Sequence, residues 1–386
     1  MLLMVNGLGV FGSRNPILAD LPHFEVFEAF PGRVVGQKGR VGRASERAVM
    51  GTGRSVRARG LQLRHGVGLT VDSLESGTKL RHGRGRFQRV RRPWYSRCVT
   101  ILEVINKTTP FFEKQRIESP RLTIELLLAH LLKKKRLQLY LEFERDLDET
   151  TLEALRGMVK RRVAGEPLQY ITGEAEFCGL RLMVDKRVLI PRPETELLVE
   201  TVAGRVKGEG EERKAAARIV DVGTGSGCIA IALAKKFPDA EIVALDASRD
   251  ALDVARGNAT LHQIEKNIRF LESDLLQNLD DSLRVDVIVS NPPYIADGEM
   301  AKLPKEVRDF EPVCALQAGE DGLKVIRRLV MDARRFLSPS GFMALELGAG
   351  QRAAVEEFFG QQGYDVVEVV KDLQGHERVV VAQPRK

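Results

Sequence analysis

From residue 218 to residue 362 the chain alternates strand-like and helix-like segments, and this alternation limits the fold more than any other feature. Short apolar stretches at 218–222, 241–246, 268–272, 285–290 and 342–347, several of them with β-branched residues, read as strands. Helical patterns at 228–236, 249–262, 323–336 and 351–362 fall between them. Such an order belongs to the α/β class, with a mostly parallel sheet covered by helices on both faces. Residues 365–370 and 378–382 add two strands joined by a short glycine-containing link, too short for anything but an antiparallel pair. The sheet is therefore expected to end in a terminal antiparallel hairpin.

A different pattern precedes it. Helices are expected at 100–115, 119–134 and 148–164, the second opened by Ser119 as cap and Pro120 at the first helical position. Ile124, Leu127, Leu128, Leu131 and Leu132 then share one face, a core or domain-interface stripe. Residues 98–174 thus read as a small helical domain and 175–192 as a β-hairpin linker with strands at 175–182 and 183–190. Residues 193–386 carry the sheet. Pro191-Arg192-Pro193-Glu194-Thr195-Glu196 forms a stiff loop at its entrance, where Arg192 and Glu194 are candidates to lie over a site.

Charge separates the first quarter of the chain from the rest. The net charge is +7, yet residues 1–95 alone hold 17 Lys and Arg against 6 Asp and Glu. The remainder is net acidic, so the overall basicity is no argument for nucleic-acid binding by the folded part. Residues 1–97 also carry 15 of the 35 glycines without helical or strand periodicity. They are read as a basic extension, either disordered or extraneous sequence translated upstream of a natural start near Val99. The extraneous reading is preferred over an RNA-touching tail or a targeting peptide. No apolar run reaches the length of a membrane span, so a soluble, cytoplasmic protein without membrane contact is expected. Cys98, Cys178, Cys228 and Cys314 form neither a Cys-x-x-Cys pair nor a zinc-spaced cluster, so no metal is expected.

Two loops carry the chemistry. Asp221-Val222-Gly223-Thr224-Gly225-Ser226-Gly227 leaves a strand and opens a helix, with glycines that let backbone pass close to a ligand. Its spacing differs from the dinucleotide fingerprint, because Cys228 or Ala230 stands where the third glycine would fall. A cofactor without a pyrophosphate fits better. Asp221 is placed to attract a cationic methionine moiety, and Asp246, at the end of the second strand, to accept ribose hydroxyls. Ser273-Asp274 follows the third strand, where an adenine edge would lie. S-adenosylmethionine has all three parts.

Asn291-Pro292-Pro293-Tyr294 follows the fourth strand. Consecutive prolines fix φ and remove two donors, leaving the Asn291 side-chain oxygen and the Pro292 carbonyl as acceptors. A planar NH₂ group donates two hydrogens and suits them, while Tyr294 would pack on its flat face. The motif implies N-methylation of a planar NH₂ group; it does not separate glutamine from adenine or guanine.

With these residues in hand, the chain resembles the peptide chain release factor glutamine methyltransferases, the PrmC/HemK family, over residues 100–386. The resemblance rests on Ile117-Glu118-Ser119-Pro120-Arg121, Pro167-Leu168-Gln169-Tyr170-Ile171-Thr172-Gly173 and Phe177 with Gly179. It continues through 188–196 and the two loops above. It implies a seven-stranded Rossmann-like S-adenosylmethionine methyltransferase sheet. It also implies methylation of the glutamine in the Gly-Gly-Gln motif of bacterial-type release factors, with no nucleic acid required. The helical domain would help dock that partner. Asp221, Gly223, Thr224, Gly225, Ser226, Gly227, Asp246, Asp274, Leu275 and Asn291 would contact the cofactor. Asn291, Pro292, Pro293 and Tyr294 would hold the glutamine, with Asn291, Pro292 and Tyr294 as the catalytic set. Leu275 departs from the tryptophan that relatives often carry, and Leu covers adenine without stacking. A nucleic-acid amino-methyltransferase acting on adenine or guanine is the alternative, and a non-catalytic RNA-binding protein using the basic arm a third.

Overall fold

The helices of the N-terminal part form where the chain supplies caps. In the computed structural model, which describes residues 99–208 and 217–386, helix α1 (Ile101–Lys114) starts at a capping box: the Thr100 hydroxyl accepts from the Glu103 amide at 3.2 Å, and the Glu103 carboxylate accepts from the Thr100 amide at 3.3 Å. The extension read over residues 1–97 lies outside the described residues, as do residue 98 and residues 209–216.

Helix α2 (Pro120–Leu132) has proline at its first position, as expected, but Ser119 does not cap it through its side chain. Ser119 is left-handed (φ 47°), and its carbonyl accepts from the Thr123 amide while the Thr123 hydroxyl donates to the Glu118 carbonyl. The side-chain cap is lost because a left-handed residue turns its hydroxyl away from the helix end. Ile124, Leu127 and Leu128 are fully buried. Short helix α3 (Arg136–Tyr140), helix α4 (Glu149–Val163) and short helix α5 (Leu168–Thr172) follow. The two-residue strands β1 (Val99–Thr100) and β2 (Asp146–Leu147) pair beside them.

The hairpin is shorter than expected. Its strands are β3 (Glu174–Phe177) and β4 (Leu180–Met183), and the chain reverses at Cys178 and Gly179 instead of near 182. Both turn residues have positive φ (49° and 71°), a conformation glycine adopts without penalty. Residues 184–192 then run irregularly, pinned where the Tyr170 hydroxyl donates to the Val188 carbonyl at 2.6 Å.

Helix α6 (Pro193–Gly208) leads into the main sheet. The alternating run follows as β5 (Arg218–Val222), α7 (Cys228–Lys236), β6 (Glu241–Asp246), α8 (Arg249–Leu261), β7 (Ile268–Glu272) and β8 (Val285–Ser290). An excursion containing α9 (Lys305–Phe310) precedes α10 (Lys324–Ala333), β9 (Leu337–Glu346), α11 (Arg352–Gln361), β10 (Tyr364–Lys371) and β11 (Glu377–Pro384). The seven strands lie in the order β10-β11-β9-β8-β5-β6-β7. All neighbours from β9 to β7 are parallel, and β11 joins antiparallel between β9 and β10. The expected terminal hairpin is therefore present, with its second strand inserted inside the sheet.

Two-residue periodicity divides the core. Ile219, Val287 and Val381 face one layer with Leu198 and Leu233, while Val220, Ile288 and Val380 face the other with Leu329 and Phe359. Each such side chain, fully buried, contributes about 1.5–3 kcal/mol relative to exposure. The sheet reverses direction of growth at β5: β6 and β7 extend to one side, β8 and β9 to the other. Ligands of open α/β sheets bind in the crevice at the carboxyl ends of strands at such a switch point. Both sequence-identified loops leave the sheet there, one from β5 and one from β8.

Candidate active site

The two strand ends are tied directly, since the Ser290 hydroxyl of β8 donates to the Val222 carbonyl of β5 at 2.6 Å. The loop after β5 is built from backbone. Gly223, Gly225 and Gly227 have φ of 73°, 56° and 81°, but they serve different ends. A Cβ at Gly223 or Gly225 would point into open space, leaving a bare backbone surface for a ligand. A Cβ at Gly227 would meet Ile231 Cδ1 at 3.0 Å and Ala255 Cβ at 3.1 Å, so this glycine lets α7 pack against α8. The Gly223 and Thr224 amides both donate to the Leu245 carbonyl at 2.8 Å, which anchors the loop to β6.

Asp221 lies fully buried beneath this loop. Its Oδ2 accepts from the Thr224 hydroxyl at 2.6 Å and the Ala230 amide at 3.2 Å. Its Oδ1 has no hydrogen-bond partner, nor does the buried Ser226 hydroxyl. Burial pushes the Asp221 carboxyl up to about 7. A buried acceptor left unpaired costs roughly 1–3 kcal/mol, a strain a cationic ligand relieves. Asp246 accepts from the Gly225 amide at 2.8 Å and the Ser248 amide at 2.9 Å, and burial raises its carboxyl as well. Asp274 is different: its side chain is exposed and paired with Arg328 at 2.7 Å. The acids at the ends of β5 and β6 thus converge on the loop, while the one after β7 is engaged at the surface. Leu275, half-buried, has φ 55°, a costly conformation for a branched side chain. An open glycine cradle, an unpaired buried carboxylate oxygen and a second carboxylate beside it fit the cationic amino acid and ribose of S-adenosylmethionine.

The loop after β8 is built from side chains. Asn291 Nδ2 donates to the Thr195 hydroxyl at 2.9 Å, and that hydroxyl donates to Glu346 Oε2 at 2.7 Å. The Tyr294 hydroxyl lies 3.5 Å from Glu346 Oε1, and the Tyr294 carbonyl accepts from Gln351 Nε2 at 2.9 Å. Gln351 Oε1 accepts in turn from the Gly348 amide. A Cβ on Gly322 would sit 2.4 Å from the Tyr294 carbonyl oxygen, so glycine is required for this approach. Burial pushes the Glu346 carboxyl up to about 7. Pro292 is buried and Pro293 half-buried.

Asn291, Pro292, Tyr294 and Arg192 line a cavity of about 230 Å³ whose remaining wall is apolar and includes Leu189 and Leu316. Arg192 is held by Glu311 at 2.5 Å, and Glu311 also accepts from the Ile190 amide. Val307 of α9 lines the same cavity, and Arg162 of α4 binds Glu306 of α9 at 2.7 Å. The helical segment thus braces a cavity wall.

Thr195, Glu346, Gln351 and Asn258 carry no role in the sequence reading. Asn258, fully buried, exchanges hydrogen bonds with both backbone groups of Met183 and donates to the Ser226 carbonyl at 2.9 Å, clamping the glycine loop to the hairpin. One signal was present: Glu346 is an acid inside the apolar run Phe342-Met343-Ala344-Leu345, and a charge in a buried strand needs a reason.

Comparison with known proteins adds to this geometry. A model of the PrmC N-terminal domain matches residues 103–173, and one of the methyltransferase small domain matches residues 193–306. A release factor glutamine methyltransferase of Chlorobaculum tepidum is 45% identical over 276 residues, covering 71% of this chain and 93% of that protein. Its counterpart from Rhodopirellula baltica is 40% identical over 293 residues, covering 75% and 97%. Among solved structures, a ribosomal protein L11 methylase from Lactobacillus delbrueckii subsp. bulgaricus aligns over 52% of this chain and 82% of its own at 19% identity, with a TM-score of 0.38.

Proposed function

The chain belongs to the release factor glutamine methyltransferase family, and we propose that it methylates the side-chain amide nitrogen of the glutamine in the Gly-Gly-Gln motif of a bacterial-type release factor. S-adenosylmethionine supplies the methyl as an electrophilic carbon on a sulfonium. The observation that carries the reading is the orientation of Asn291. Its Nδ2 is committed to Thr195, so its Oδ1 and the Pro292 carbonyl are left as acceptors at the cavity.

On this reading, Gly223 to Gly227 with Asp221 and Asp246 hold the cofactor, and Leu275 covers the adenine. Asp274, already paired with Arg328, flanks that site. Asn291 Oδ1 and the Pro292 carbonyl take one amide hydrogen each, and Pro293 and Tyr294 pack on the flat group. An amide nitrogen is a poor nucleophile because its lone pair is delocalised. Fixing both hydrogens favours the pyramidal nitrogen and aims it; orientation of this kind lowers a barrier by up to about 7–11 kcal/mol. The nitrogen releases one proton to solvent as it gains the methyl, so no strong base is needed before attack. The helical segment of residues 101–172 docks the partner and steadies the cavity wall through Arg162. The enzyme works in the cytoplasm, and among the described residues no helix is long and apolar enough to cross a membrane.

An adenine or guanine amino group would suit the same acceptors. The net acidic charge of residues beyond the first quarter disfavours a polyanion. A transfer assay offering purified release factor and total RNA side by side tests the reading. Label in the release factor, lost when its Gly-Gly-Gln glutamine is replaced, is the expected result. Label confined to RNA refutes it.

A further inference from the structure

An asparagine amide has nearly the same shape either way round, yet only one orientation offers an acceptor to a substrate NH₂. Flipped, Asn291 would present its own NH₂ to that group and repel it. Neither Asn291 nor the prolines beside it choose between the two. The choice is made by two buried residues that lie far away in sequence.

Thr195 is 2% exposed and Glu346 1%. The Thr195 hydroxyl has one hydrogen, and an ionised carboxylate only accepts. That hydrogen therefore goes to Glu346 Oε2 at 2.7 Å. The Thr195 oxygen can then only accept, so the end of Asn291 that faces it at 2.9 Å must be the NH₂. The carboxylate thus dictates, through one hydroxyl, which end of the Asn291 amide points outward. Around Glu346, Arg378 of β11 favours the charged form and Glu194 at the start of α6 opposes it, with the Tyr294 hydroxyl as a further donor.

We infer that Thr195 and Glu346 are positioning residues that lock the Asn291 amide with its oxygen toward the acceptor nitrogen. This rests on the proposed amide methylation. Thr195→Val removes the hydroxyl at equal volume, Thr195→Ser keeps it, and Glu346→Gln replaces a pure acceptor by a group that also donates to Thr195.

The full chain with each substitution would be assayed for methyl transfer to release factor, S-adenosylmethionine affinity by calorimetry, and thermal melting. The Asn291 side-chain amide ¹H–¹⁵N resonances would be recorded as well. Thr195→Val should lower kcat by about tenfold or more, with cofactor affinity and melting temperature close to wild type and the Asn291 amide signals displaced. Thr195→Ser should recover most of the turnover and the wild-type signals. Glu346→Gln should lose turnover while still binding cofactor.

Near-normal kcat in both Thr195→Val and Glu346→Gln would overturn the inference, as would unchanged Asn291 resonances. A loss that merely follows unfolding, with no recovery in Thr195→Ser, would also overturn it. Failure of the underlying function looks different: the wild-type chain itself leaves release factor unmethylated. The amide resonances still decide the orientation in that case.

Discussion

The loops after β5 and β8 sit at neighbouring strand ends but are made in opposite ways. The first is a backbone device. Its shape comes from glycines with positive φ and from an aspartate whose partners, Thr224 and Ala230, are three and nine residues away. The second is a side-chain device. Its asparagine depends on Thr195, 96 residues before it, and its tyrosine on Glu346 and Gln351, 52 and 57 residues after it. A backbone cradle suits a cofactor that is bound through many weak contacts. An acceptor pair whose side-chain member is oriented by distant residues suits a reacting nitrogen, where direction matters more than affinity. Damage to the first should therefore appear in binding, and damage to the second in turnover.

The largest expected effect is a test of that division. Asn291→Ala should cut kcat by about a hundredfold or more, the scale of a lost positioning contact, while cofactor affinity changes little. Steady-state kinetics with calorimetry on the same protein would check it. A variant with normal turnover, or one that fails chiefly in cofactor binding, would erase the distinction. The opposite arm is Gly225→Val. At φ 56° a β-branched residue is strained by roughly 1–2 kcal/mol, and its side chain would fill the open space over the loop. Cofactor affinity should fall about tenfold or more, with kcat at saturation nearly retained.

The same contrast explains what could be read from the sequence. The β5 loop was legible because its causes are local: strand, glycines, helix and the strand-end acids Asp221 and Asp246 all lie within 29 residues. The parallel order was legible from alternation, and the terminal hairpin from its short link. Asn291-Pro292-Pro293-Tyr294 was legible as a motif, but not what orients it, because Thr195 and Glu346 meet only once the sheet has formed. The pairing of Asp274 was not legible for a related reason: a strand-end acid looks the same in sequence whether or not an arginine such as Arg328, 54 residues on, reaches it. The hairpin reversal was placed too late because strand alternation outweighed the turn chemistry of Cys178-Gly179.

A pH profile sharpens the comparison further. Glu346 must be charged to hold Thr195, and its carboxyl stands near 7, with burial raising it, Thr195 and Arg378 lowering it and Glu194 raising it. Turnover should fall as pH drops through 7, approaching about tenfold per unit below it. Stability should move the other way. Between the ordinary carboxyl value and 7 the folded protein binds more protons at Glu346 and Asp221 than the unfolded chain does. Folding stability contributed by these groups is therefore greatest at the acid end of that window and declines as pH rises. Melting temperature and kcat measured in one buffer series should thus have opposite slopes from these groups. A Glu346→Gln enzyme should lose the Glu346 part of both.

The smallest effect concerns the edge of the cofactor cradle. Leu275 offers apolar cover but no π face, and it stands at φ 55° among partly buried groups packed on the layer formed by Leu276 and Leu279. Leu275→Trp would add a ring without relieving the backbone, because tryptophan gains no more from the left-handed conformation than leucine does. A stacking gain of about 0.5–1.5 kcal/mol is then partly offset by repacking, so affinity for S-adenosylmethionine should rise only a few-fold. The sulfonium-free product S-adenosylhomocysteine should gain equally, since both carry the same adenine. kcat should stay as it was, because the hydrogen bonds that orient Asn291 run through Thr195 and Glu346 and not through residue 275. Equal tightening of both ligands would assign Leu275 to the adenine edge of the binding loop. Unchanged affinity in a well-folded variant would move the adenine elsewhere, and a change in kcat alone would mean that the two loops are not separable.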